Sequence, residues 1–330
     1  MGKKGFVFGV SIMLFAALGW EACNALAYEA GTREHKLDLG VLGFRRSYLL
    51  HTPQGYDSTG PLPLIVALHG GFSTALDMEK ETGFSEIADR EKFFVAYPNG
   101  IGLFGRLQHW NAYHCCGFSM RWGIDDVQFV SMVIDRIRTQ VKIDSSRIYI
   151  VGYSNGGMLG YLYAARNPDI VAAVAGIATT IGSRSSPDEP EIRIDRPHAP
   201  VPVIAFHGLM DQIVPYGGGR LNSPYWYVSV RESMLFWIEA NKCAAEPIRE
   251  NMMGGRMIKY TWNGKENGTE VVLFTLRGWG HLPPTRHFAR ELADTDPLRD
   301  LHAPEIIWEF FKSHARTAAS SALSDVRYLK

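Results

Sequence analysis

Apolar residues along this chain gather in short unbroken runs, several of them closed by glycine, proline or histidine. Examples are Leu64 to Gly71 (LIVALHGG), Phe93 to Tyr97 (FFVAY, before Pro98), Arg147 to Val151 (RIYIV), Val171 to Ile177 (VAAVAGI), Val201 to Phe206 (VPVIAF) and Glu270 to Leu276 (EVVLFTL). A run apolar at nearly every position describes a strand covered on both faces. Another strand is expected around Arg45 to His51, ended by Pro53 and Gly55. Between the runs the apolar spacing turns helical over Ser85 to Glu91, Asp125 to Val141, Met158 to Arg166, Ser229 to Ala240 and Pro304 to His314. Strands alternating with helices predict right-handed crossovers, hence an α/β fold: a doubly wound, mostly parallel sheet with helices on both faces. Such sheets bind ligands outside the carboxyl ends of their strands. Two long connections leave such ends, Pro98 to Gly123 and Thr179 to Pro200, and both are expected to roof a site there.

The first residues break the pattern. Two lysines, an apolar stretch from Phe6 to Leu18 and the small-x-small triplet Ala25-Leu26-Ala27 read as a secretory signal peptide over residues 1–27. The stretch is short for a membrane span, and an uncleaved anchor is the alternative. Residues 28–315 are expected to form one catalytic domain and 316–330 a small, polar tail. The mature protein is then placed outside the cytoplasm, secreted or periplasmic, with no stable membrane partner. In that compartment Cys115, Cys116 and Cys243 imply one disulfide and one remaining thiol, with the pairing open.

Composition narrows the partner. Of 330 residues, 46% are hydrophobic, enough for a large core, and Lys plus Arg balances Asp plus Glu at 34 each. Without a basic block, nothing in the charge supports nucleic-acid binding.

One run breaks on a serine boxed by glycines: Gly152-Tyr153-Ser154-Asn155-Gly156, after the strand Ile148 to Val151 and before a helical segment. Strand, sharp turn and helix around GxSxG describe a nucleophile elbow. A serine hydroxyl needs a base and an orienting acid. Asp211 follows the strand VPVIAF, and His281 follows the strand EVVLFTL. Serine, acid, histidine is the chain order of α/β-hydrolases, so Ser154, Asp211 and His281 are the expected triad, with His287 as a reserve base. Acyl transfer also needs donors for a developing oxyanion. Asn155 N–H and the loop His69-Gly70-Gly71-Phe72 are the expected sources, Gly71 before Phe72. Trp110, Trp122 and Trp279 are candidates for an aromatic cleft, Trp110 and Trp279 first. Asp125 and Asp126 open a helical segment, where acids cap free N–H groups, and are read as structural. The run His109 to Cys116 lacks zinc-ligand spacing, so no metal is expected, and the triad chemistry needs no cofactor.

In this order LHGG, YPNG, CCG followed by DDVQF, GYSNGG, HGLMDQIVPYGGG and GWGH run from about Arg45 to Phe311. The chain thereby resembles the secreted esterases grouped as polyhydroxybutyrate depolymerase and feruloyl esterase-like enzymes, close to carbohydrate esterase family 1. The resemblance implies an α/β-hydrolase with the same three residues as triad. Members often carry Thr-Trp-Pro after the histidine, where this chain has Leu282-Pro283-Pro284; many have a second cysteine where it has Thr261-Trp262-Asn263. That departure favours a vicinal Cys115 to Cys116 pair.

The expectation is a secreted serine ester hydrolase acting on hydroxycinnamoyl or acetyl esters of plant polysaccharide. The alternatives are a depolymerase of poly(3-hydroxybutyrate) or its oligomers and, from other classes, an acyltransferase or a peptidase on the same fold. No polymer-binding module or Ser/Thr-rich linker follows the catalytic region, which argues against a dedicated degrader of solid polyester.

Overall fold

A computed structural model describes residues 30–38, 45–102, 105–264 and 268–316. The expected signal peptide, and the tail beyond Arg316, lie outside the described residues. In chain order the elements are β1 (Gly31–Asp38), β2 (Arg45–Thr52), β3 (Leu62–Leu68), α1 (Ala75–Thr82), α2 (Phe84–Glu91), β4 (Phe94–Pro98), α3 (Gly117–Arg121), α4 (Asp126–Arg138), β5 (Ile143–Tyr153), α5 (Asn155–Arg166), β6 (Ala173–Ile177), β7 (Gly182–Arg184), β8 (Ile192–Arg193), β9 (Val203–Gly208), β10 (Trp226–Tyr227), α6 (Val230–Ala240), β11 (Ile248–Met252), β12 (Met257–Asn263), β13 (Glu270–Leu276), α7 (Arg286–Ala289) and α8 (Ala303–Lys312). Among the described residues no helix is long and apolar enough to cross a membrane.

Ten strands form one sheet in the order β1-β2-β4-β3-β5-β6-β9-β13-β12-β11. The six from β4 to β13 run parallel, and antiparallel pairs extend the sheet at both edges. The unbroken apolar runs have the expected cause. Leu64, Val66 and Leu68 of β3 face one core with α4, α5 and α6, whereas Ile65 and Ala67 face the other with α1, α2 and α8. Alternate residues of β5, β9 and β13 divide in the same way. Each central strand therefore buries both faces, and polar residues are left to its ends.

Asp125 caps α4 by accepting the Gln128 N–H at 2.8 Å. Asp126 does more than a helix-start acid: it is buried, pairs with the equally buried Arg46 at 2.7 Å, and accepts the Asn111 N–H at 2.7 Å. Together these bonds anchor the 98–123 connection against the sheet edge. The structure joins Cys115 to Cys116, and Cys243 is a free, half-buried thiol.

Candidate active site

The loops after β5, β9 and β13 bring Ser154, Asp211 and His281 together. Ser154 stands at the tip of β5 with φ 53° and ψ −122°, a backbone strained for a residue with a side chain, and its N–H donates to Ile177 C=O at 2.8 Å. The turn closes only because its neighbours are glycines. A Cβ on Gly156 would lie 2.3 Å from the His69 carbonyl oxygen, and one on Gly152 would lie 2.3 Å from that of Gly156. The helix therefore starts at Asn155, three residues ahead of the expected Met158, with its N-terminal dipole behind Ser154.

His281 Nδ1 donates to Asp211 Oδ2 at 2.8 Å, and its Nε2 lies 2.9 Å from Ser154 Oγ. A carboxylate only accepts, so the proton sits on Nδ1 and Nε2 turns a lone pair to the hydroxyl. Asp211 is fully sequestered but not lone. Its Oδ1 accepts the N–H groups of Ile213 and Val214 at 2.9 Å each, and buried His207 stands 3.2 Å from Oδ2. Burial alone would raise the Asp211 pKa, but hydrogen bonds from His207 and His281 overcome it and hold the carboxyl well below the usual carboxylate range. His287, the reserve base, is exposed on α7 with its ring against Phe288.

Two backbone donors face the serine. Asn155 N–H is in the first helical turn, and no acceptor for Gly71 N–H is found among the described residues. Phe72, the second choice, spends its N–H on Gln108 C=O at 2.8 Å. Gly71, Asn155, Ser154 and His281 all line one cleft of about 640 Å³.

The walls of that cleft correct the aromatic assignment. Trp110 is wholly buried, stacked over Phe129, with its indole N–H on His69 C=O at 2.8 Å. Trp279 is buried in the core beneath β13 and donates to Leu282 C=O. Neither lines the cleft, because each indole is drawn inward by apolar packing and turns its N–H to a main-chain carbonyl, His69 for Trp110 and Leu282 for Trp279. The lining aromatics are Trp122, 57% exposed and packed on Phe118, together with Phe72, Tyr225 and Tyr227. Phe118 and Trp122 share one side of the short helix α3 and its cap, an i, i+4 spacing visible in the sequence.

The roof also differs from expectation. The 98–123 connection contributes His109, Cys116, Gly117, Phe118, Arg121 and Trp122, but no residue of 179–200 lines the cleft. That segment forms β7 and β8, which pair with β10 in a small separate sheet. The opposite wall is Ile213, Asn222 to Tyr225 and Tyr227, from the loop beyond Asp211. Among the described residues no group of three His, Cys, Asp or Glu side chains could hold a metal ion.

Trp110 has another place in the site. The Asn155 side chain accepts its main-chain N–H at 2.7 Å and donates to its C=O at 3.0 Å. Its indole holds the carbonyl of His69, which begins the Gly70-Gly71 turn. One residue thus ties the loop bearing Gly71 to the residue after Ser154.

The model of the family described as "Esterase PHB depolymerase" matches residues 46–188. Feruloyl esterase B of Piromyces equi is 27% identical over 72% of this chain, which spans 42% of that protein's length. A putative esterase, NocK, of Nocardia uniformis subsp. tsuyamanensis is 29% identical over 74% of this chain and 72% of its own. Among solved structures, an acetyl xylan esterase from Aspergillus awamori superposes with a TM-score of 0.55 at 14% identity, covering 85% of this chain and 99% of that one, a likeness of fold alone. With its elbow at the end of β5 and its mostly parallel sheet, the chain has the α/β-hydrolase fold, and its residues 46–188 are similar to the esterase family of that model.

Proposed function

We propose that the protein is an extracellular serine ester hydrolase working through an acyl-enzyme. The observation that carries this is the bonded series from Asp211 through His281 to Ser154, opening into a cleft beside two free backbone donors. Ser154 Oγ adds to the ester carbonyl while its proton passes to His281 Nε2. Gly71 and Asn155 N–H hold the oxyanion, reinforced by the N-terminus of α5. Asp211, kept ionised, stabilises the imidazolium. His281 then returns the proton to the departing alcohol oxygen, and the tetrahedral adduct collapses to the acyl-enzyme. Water deprotonated by the same histidine releases the acid and restores Ser154. These steps need no metal or organic cofactor.

The substrate reading is an ester of a hydroxycinnamic or acetic acid on plant polysaccharide. Phe118, Trp122 and Tyr225 offer faces for a planar acyl group or a sugar ring, and the cleft is the size of a small-ligand site. The second reading is an oligomer of 3-hydroxyalkanoate, supported by the name of the matching family. The leader-like first 27 residues support secretion.

Wild type and Ser154→Ala are compared on p-nitrophenyl acetate, methyl ferulate, 3-hydroxybutyrate oligomers and a peptide amide. Ester turnover should vanish in the variant; equal turnover by both proteins refutes the mechanism. Amide cleavage, or acyl transfer to added alcohol in preference to water, would reassign the chain to a peptidase or an acyltransferase.

A further inference from the structure

His109 sits beside the two donors without belonging to the triad. Its main chain is pinned by bonds to Ile101 in both directions, at 2.9 and 3.1 Å, and its carbonyl accepts the Ser119 hydroxyl at 2.8 Å. The ring has little freedom. Phe72 meets it edge to face at 4.3 Å. Gly117 and Gly71 leave it room: a Cβ on either would stand 3.0 or 3.3 Å from Cδ2. A Cβ on Gly71 would also stand 3.5 Å from His109 Nε2 and 3.8 Å from Asn155 Cβ, so the imidazole borders the place where the carbonyl oxygen of a substrate must lie.

The tautomer decides what this ring can do. Nδ1 lies 3.0 Å from the Leu107 carbonyl oxygen, which can only accept, so Nδ1 carries the proton. Burial lowers the pKa of the ring, which keeps it neutral around pH 7. Nε2 then presents a lone pair, and no donor to it is found among the described residues. An acceptor cannot stabilise an oxyanion. It can receive a hydroxyl.

We propose that His109 is a specificity-determining residue whose Nε2 accepts a hydrogen bond from a substrate hydroxyl two or three carbons from the scissile ester. This rests on the esterase reading and deepens it. A hydroxyl so placed has two sources: the 3-hydroxyl of a hydroxyacyl group, or the sugar hydroxyl next to an esterified one. Their shared chemistry is a donor close to the reacting carbonyl, which an O-methyl group at the same place lacks.

The test pairs each hydroxyl ester with its methyl ether. Methyl 3-hydroxybutyrate against methyl 3-methoxybutyrate probes the acyl side; 2-hydroxyethyl acetate against 2-methoxyethyl acetate probes the alcohol side. The ratio of kcat/KM within a pair is taken in wild type, His109→Phe and His109→Gln, so that any disturbance of the neighbouring donors cancels. Wild type should favour the hydroxyl ester by about fivefold in one pair, the worth of one neutral hydrogen bond. His109→Phe should bring that ratio near one, and His109→Gln, whose amide oxygen still accepts, should restore part of it. A wild-type ratio near one in both pairs, or a ratio that His109→Phe leaves unchanged, overturns the proposal. Nitrogen-15 shifts of the His109 ring, read in Ser154→Ala protein, test it apart from turnover: a proton on Nε2 in place of Nδ1 refutes it. Absence of all ester turnover in wild type, with the Nδ1–H tautomer present, would instead count against the esterase reading.

Discussion

Trp110→Phe separates holding the site from touching the substrate. The change keeps a ring over Phe129 and leaves the main-chain bonds to Asn155 in place, but deletes the indole N–H that His69 C=O accepts at 2.8 Å. Both groups are buried, so the carbonyl is left without a partner, a loss of about 1–3 kcal/mol. The volume lost from the core adds about 1 kcal/mol. Together these amount to about 2–4 kcal/mol and should lower the melting temperature by roughly 4–16 °C, at about 2–4 °C per kcal/mol, the scale for domains of about 150–250 residues. The freed carbonyl lies two residues before Gly71, so the Gly71 N–H loses its aim. Loss of a whole oxyanion donor costs about 100-fold or more in kcat, and a loosened one should cost about tenfold. KM for a small ester should stay within about twofold, since the indole is out of reach of the cleft. Thermal melts and steady-state kinetics on p-nitrophenyl acetate check both halves. A several-fold rise in KM with kcat and melting temperature unchanged would mean that Trp110 contacts substrate after all, and the clamp would be refuted.

Asp211→Asn should lower kcat by about four orders of magnitude, because an amide can present its N–H to His281 and invert the tautomer. It also carries a stability signature. The folded Asp211 carboxyl is depressed relative to about 3.9 in the unfolded chain, so its contribution is complete above that value and is lost as pH falls through the folded value. The difference in melting temperature between wild type and variant should be constant above about pH 5 and shrink on acidification below about pH 4; a gap that widens there contradicts the assignment. Trp122→Ala removes an exposed ring packed on Phe118. It should reduce kcat/KM for methyl ferulate by about 3- to 10-fold relative to p-nitrophenyl acetate, the scale of one aromatic contact, and an equal effect on both esters would remove Trp122 from the acyl site.

The parallel centre of the sheet was legible because a strand buried on both faces has no polar positions to blur its signal. The edges were not. β1 (GTREHKLD) is almost wholly polar, and β11 is exposed along its length, so neither carries an apolar alternation. The start of α5 was placed late for a local reason: Gly156 and Gly157 weaken a helix by about 1 kcal/mol each, yet the close crossing of Leu68 and His69 requires Gly156, and the Thr179 side chain crowds the Gly157 position. The aromatic assignments failed in the opposite sense. Trp110 and Trp279 sit in glycine-rich loops near strand ends, which in sequence looks like a cleft. What separates them from Trp122 is a nearby main-chain carbonyl that takes the indole N–H, buried His69 in one case and Leu282 in the other, and no linear pattern reports that.

The division has a physical origin that bears on substrate choice. Each triad residue is set by the strand it terminates, so its place follows from a local motif plus the order of strands in the sheet. The cleft walls are set by two loops, 105–123 and 209–228, that meet over the serine. Contacts between them include Gly117 N–H on the Tyr225 hydroxyl at 3.4 Å and the Tyr227 hydroxyl 3.9 Å from Cys115 Sγ. Those walls carry rings that are exposed, as in Trp122, or half-buried, as in Phe118 and Tyr225, whereas the floor is knitted to the core by Asn155, Trp110 and Arg46. Substitution at Trp122, the most exposed of these rings, should therefore move the choice among esters at small cost in stability. Substitution in the floor should cost stability and rate together. His109 stands between the two, its main chain fixed to the floor and its Nε2 open to the cleft, which is where selection can act on the reacting carbonyl without disturbing the groups that perform the reaction.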